Sequence, residues 1–154
     1  MEQIKQKKIC VIDGQGGGIG ATIIKRLKDR FEEKVEVLAL GTNAIATAQM
    51  LKARANKGAS GSNAIVQTSK KADVIIGPVG IIIPHAMMGE VTLDMAEAVC
   101  QSDAKKLLLP LSQENVALAG VNGLPLPLLV DEVLDTWFSA GYFSTPGNAF
   151  GHNG

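Results

Sequence analysis

The chain has 154 residues, with 15 basic and 15 acidic side chains, two His and two Cys, and it is 46% hydrophobic but only 4% aromatic. That length suits one domain. Zero net charge excludes the electrostatic footprint of a nucleic-acid binder or an anionic-membrane binder.

The first apolar run, Ile9-Cys10-Val11-Ile12, shows no alternation between faces, as in a parallel strand buried on both sides. A glycine-rich stretch, 14–20, follows it. Ile19, Ile23, Ile24, Leu27 and Phe31 then recur at helical spacing among Lys25, Arg26, Lys28, Asp29 and Arg30, which predicts an amphipathic helix. Residues 35–40 read as the second strand, which completes one βαβ unit. Thr42 or Asn43 caps the next helix through Ile45, Met50 and Leu51. Residues 57–63 read as a Gly/Ser/Asn break before a short helical piece. Residues 72–76 form the third predicted strand and end at Gly77-Pro78.

Thr92 caps a helix through Met95, Val99 and Cys100, with Asp94 in its first turn. Residues 107–111 and 116–121 read as the fourth and fifth strands. The four residues between them cannot hold a crossover helix, so the pair is expected as an antiparallel hairpin. Pro127 opens a last helix with an apolar stripe of Val130, Val133, Leu134, Trp137 and Phe138. The expected architecture is α/β: a Rossmann-like three-layer sandwich of about five strands, mostly parallel, with an antiparallel edge hairpin. It occupies residues 7–139, and a Gly/Asn/Ser-rich flexible tail spans 140–154.

Cys10 and Cys100 both read as buried reduced thiols, and no set of residues has metal-ligand spacing. Residues 1–8 contain no apolar signal-peptide core, and the uncharged stretch 74–89 is too short and too Pro-interrupted to span a bilayer. The cytoplasm is the expected location.

In open parallel sheets ligands bind beyond the carboxyl ends of the strands. The glycines gather there: Gly14, Gly16, Gly17, Gly18 and Gly20 after the first strand, Gly41 after the second, Gly77 and Gly80 after the third. Gly14-Gln15-Gly16-Gly17-Gly18-Ile19-Gly20 follows a strand and opens a helix, the setting in which backbone N–H groups and the helix dipole hold a phosphate. A turn that serves packing alone is the competing reading. The expected binding residues are Gly14, Gln15, Gly16, Gly17, Gly18, Ile19, Gly41, Thr42, Asn43, Gly77, Pro78, Val79 and Gly80, and the expected cofactor is NAD or NADP.

This loop resembles the coenzyme loop of the short-chain dehydrogenases over about 30 residues, one βαβ unit. That family's Tyr-x-x-x-Lys pair has no counterpart, since the single tyrosine, Tyr142, has Pro146 four positions on. The usual ribose-binding acid at the end of the second strand is also missing. Thr42 and Asn43 stand there instead, as ribose ligands, as neighbours of a 2′-phosphate that no carboxylate repels, or as helix caps.

Asp13 either accepts hydrogen bonds from the loop's own amides or serves as a metal or ribose ligand. His85 is either an acid–base group or a capped surface histidine. Glu90 and Glu114 also fall near predicted strand ends. A second function class is therefore an enzyme acting on a phosphorylated or acidic metabolite through His85 or Asp13. A third is a structural or regulatory subunit. The Met-rich apolar segment 81–88 predicts a homodimer contact or, equally, an internally packed strap.

Several stretches taken together resemble a family of short bacterial proteins described as domain of unknown function 3842. They are 11–20, Ala39-Leu40-Gly41-Thr42-Asn43, Asn63-Ala64-Ile65, Gly77-Pro78-Val79-Gly80-Ile81 and Met88-Gly89-Glu90. The resemblance covers roughly residues 7 to 138 and implies a Rossmann-like fold.

Overall fold

The computed structural model describes residues 6–111, 115–121 and 123–138. Five strands and five helices alternate: β1 (Lys7–Asp13), α1 (Gly18–Phe31), β2 (Val35–Gly41), α2 (Ala44–Lys52), β3 (Lys57–Ser60), α3 (Ser62–Ser69), β4 (Val74–Pro78), α4 (Leu93–Gln101), β5 (Lys105–Leu109) and α5 (Leu126–Trp137). The strands form one sheet in the order β3-β2-β1-β4-β5. Every pairing is parallel.

Burial on both faces follows from the period of two in a strand. Ile9 and Val11 of β1 point into one core layer with Ile23, Ile24 and Leu27 of α1, Met50 of α2, and Leu129, Val130 and Leu134 of α5. Cys10 and Ile12 point into the other layer, with Ile65 of α3 and Met95 and Val99 of α4. Helices α1, α2 and α5 thus cover one face, and α3 and α4 the other. The strand order reverses between β1 and β4: β2 and β3 are added on one side of β1, β4 and β5 on the other. Helix α5 is joined to α1 by Asp131, which pairs with Arg26 (3.8 Å) and Arg30 (3.7 Å), and by a tilted contact between the rings of Phe138 and Phe31 at 5.5 Å.

Four expectations are corrected. The antiparallel hairpin is absent: β5 pairs parallel with β4, and residues 116–121 form no strand. Their apolar side chains are not core-facing, with Val116, Leu118 and Val121 all more than 40% exposed. The fourth predicted strand lies two residues earlier and stops before Pro110, which has no N–H to continue a ladder. The fifth strand of the sheet is instead β3, inside the stretch read as a break. All four of its residues are exposed, so it carries no apolar signal. Cys100 is exposed, because it follows Val99 by a 100° step around α4 and leaves the buried stripe. Cys10 is buried, and burial pushes its thiol up to about 12. The stretch 140–154, expected as a tail, lies outside the described residues. Among the described residues no helix is long and apolar enough to cross a membrane.

Candidate functional site

The glycine loop is built around Asp13. Its side chain is 4% exposed, and its two carboxylate oxygens accept from the N–H groups of Gly14 (2.8 Å) and Gly20 (2.7 Å). The loop's own amides are therefore its partners. Burial raises the Asp13 carboxyl above the usual carboxylate range; the amides of Gly20, Gly14 and Ile19 oppose that shift, and the charge of Glu90 adds to it. Asp13→Asn would place an amide N–H₂ against one of these N–H groups. We expect it to destabilise the fold by about 1–3 kcal/mol, read as a lower urea midpoint with unchanged slope. An unchanged midpoint would show that the loop does not depend on this carboxylate.

The five loop glycines divide into two kinds. A Cβ on Gly14 would lie 2.5 Å from Thr42 Oγ1 and 3.0 Å from Glu90 Oε1. Gly17 adopts φ +74° and lies against the backbone of Ala46, where a Cβ would approach the carbonyl oxygen to 2.7 Å. Gly20 faces the Met50 sulfur and would meet Asp13 Cβ at 3.0 Å. These three are required by packing. Gly16 and Gly18 are not: both are exposed, and a Cβ on either would meet nothing within 4 Å. Their N–H groups take no partner among the described residues.

A cleft of about 700 Å³ opens beside this loop at the carboxyl ends of β1 and β4. Asp13, Gln15 and Ile19 line one wall, Pro78 and Gly80 the floor, and His85, Met87, Met88 and Gly89 the other wall, with Leu111 at one end. Of the residues expected at the site, Gln15, Ile19, Pro78 and Gly80 line the cleft; Gly14, Gly16, Gly17, Gly18, Thr42 and Asn43 stand beside it, and Gly41, Gly77 and Val79 are buried at or just beyond strand ends. His85 is exposed, with φ +69°, and its N–H donates to the carbonyl of Val91 (2.6 Å). Glu114 lies outside the described residues. Segment 81–88 is covered in part: Ile81 and Ala86 are 1% exposed in the α3/α4 layer, Ile82, Ile83 and Met87 are half-buried, and Pro84, His85 and Met88 are exposed, Met88 at 95%.

Thr42 and Asn43 are not open to the cleft. Asn43 caps α2 by accepting from the N–H of Ala46 (2.8 Å), and its amide donates to the carbonyl of Gln15 (3.1 Å). Both residues also donate to Glu90, the residue whose place in the site sequence reasoning missed. Glu90 Oε1 accepts from Thr42 Oγ1 (2.6 Å), Asn43 Nδ2 (2.8 Å) and the N–H of Gln15 (2.8 Å). Partial burial alone would raise its carboxyl, but the bonds from Thr42, Gln15 and Asn43 outweigh it and hold the group below its usual value. Its partners lie 47 to 75 residues away in sequence, beyond the reach of any local pattern.

A family model, domain of unknown function (DUF3842), matches residues 8–140. The chain matches no curated protein and no solved structure. The matched span takes in all of the sheet but Lys7, with the glycine loop, the Glu90 contact and α5, so the chain belongs to the DUF3842 family.

Proposed function

We propose that this is a Rossmann-type nucleotide-binding domain whose cleft holds a dinucleotide, NAD or NADP, with the diphosphate on the loop at Gly16, Gly17, Gly18 and Ile19. The observation that carries this reading is the pair Gly16 and Gly18. Packing accounts for three glycines in the loop, while these two keep a side chain away from open space above unpartnered N–H groups at the start of α1. Glycine there admits a phosphate to the backbone, where the helix dipole favours an anion.

Two features support it. The cleft lies where the strand order reverses, the place where open α/β sheets take their ligands. Its volume falls within the usual ~300–1,000 Å³ of small-molecule sites. Asp13 has both carboxylate oxygens engaged by the loop, which supports a role in the loop's shape. Thermal unfolding of the purified chain with NAD(H), NADP(H) and inorganic phosphate tests the proposal. A dinucleotide at about 100 times its dissociation constant adds about 2.7 kcal/mol, a rise of several degrees. No shift with either dinucleotide would overturn it.

A further inference from the structure

Nucleotide sites of doubly wound sheets read the ribose with an acid at the carboxyl end of the second strand. In this chain β2 ends in Leu40-Gly41 and continues as Thr42-Asn43, with no carboxylate. The folded chain fills that place from the opposite half of the sheet. After β4 the backbone turns back through His85, Met87 and Met88, at φ +69°, +58° and +58°, and Gly89, at φ +91°. This turn sets the Glu90 carboxylate between the first glycine of the loop and the end of β2. Gly14 lacks the room for a Cβ because Thr42, the Met87 sulfur and this carboxylate stand against it.

The bonding is one-sided. Thr42, Asn43 and the N–H of Gln15 all donate to Oε1, and Oε2 accepts nothing from the described residues. One oxygen thus anchors the group while the other keeps its acceptor sites for a hydroxyl donor. The same negative charge repels a phosphate ester at that position.

We propose that Glu90, held against Gln15 and next to Gly89 of the cleft wall, is the ribose-reading acid beside this cleft, so that the site takes a nucleotide whose ribose 2′ and 3′ hydroxyls are both free, NAD(H) in place of NADP(H). This rests on the dinucleotide reading above. A carboxylate that only ties the loop to β2 would affect both nucleotides alike, so the ratio of affinities is the discriminating quantity.

The test titrates the full chain and Glu90→Gln with NAD⁺ and NADP⁺. The wild-type chain is expected to bind NAD⁺ roughly 10- to 100-fold more tightly than NADP⁺. In Glu90→Gln, NAD⁺ weakens, NADP⁺ tightens, and the ratio narrows by about tenfold or more. Equal affinities in the wild-type chain, or an unchanged ratio in the variant, would overturn the role of Glu90 and leave the dinucleotide reading standing. Binding of neither nucleotide to the wild-type chain would overturn both. A comparison on the wild-type chain alone, adenosine 5′-phosphate against adenosine 2′,5′-bisphosphate, needs no variant. Preference for the monophosphate is expected, and tighter binding of the bisphosphate would overturn the proposal.

Discussion

Gly18→Asp is expected to abolish dinucleotide binding and leave the fold intact. Gly18 is the first residue of α1, it is exposed, and a Cβ there meets nothing within 4 Å. No acidic residue occupies the first turn of α1, so a carboxylate at this end gains the favourable dipole interaction of about 0.3–1 kcal/mol. The nearby charge of Asp13 offsets part of that gain, and stability should stay within about 1 kcal/mol of wild type. The same carboxylate would lie where the diphosphate is proposed to rest. Repulsion and the loss of the helix N-terminus as an anion site should weaken binding by about 100-fold or more, roughly 2.7 kcal/mol. Titration calorimetry beside a thermal melt reads both quantities. Near-wild-type affinity would mean that the loop is not the binding surface.

The opposite behaviour is expected at Gly77, where alanine should damage the fold itself. Gly77 lies in β4 beside the central strand, and a Cβ there would run into the carbonyl oxygen of Ile12 and lie 3.0 Å from Ile81 Cδ1. Ile12 and Ile81 are each 1% exposed, so neither has free space to move into. The obstructing oxygen belongs to the main chain of β1, which is held by β2 on one side and β4 on the other. Overpacking of this kind costs about 3 kcal/mol, the upper end of what a crowded core imposes. For a domain of this size that lowers the thermal midpoint by roughly 10 °C. A fall of less than about 2 °C would show that β1 and β4 can part without loss. Together the two variants separate glycines that admit a ligand from glycines that admit a neighbouring strand.

The β1-α1-β2 unit was legible because each element carries its own signal. β1 is apolar on both faces, α1 has a clean stripe of Ile23, Ile24 and Leu27, and the loop between them is written in glycine. The caps of α2 and α4 were legible for the same local reason: Asn43 and Thr92 accept from the N–H groups three residues on. β3 was not legible. Lys57-Gly58-Ala59-Ser60 has no apolar face to hide, and it is a strand because the edge of β2 offers it a ladder. The converse error came from 116–121, where apolar composition was read as burial although these side chains remain partly in solvent. At the site, the partners of Asp13 were readable from its place beside the loop. The position of Glu90 was not, because it depends on how β4 docks beside β1 and on a turn with three non-glycine residues at positive φ.

That docking also fixes when in folding the cleft comes into being. Ile9, Cys10 and Val11 pair with Val74, Ile75 and Ile76, a closure over a long loop, while β1 and β2 are joined through α1 alone. A partly folded chain can hold a complete glycine loop and still lack the opposite wall and the Glu90 carboxylate. Nascent or damaged chains therefore present the loop without the rest of the cleft. A ligand that needs both walls would stabilise the whole domain rather than its N-terminal half.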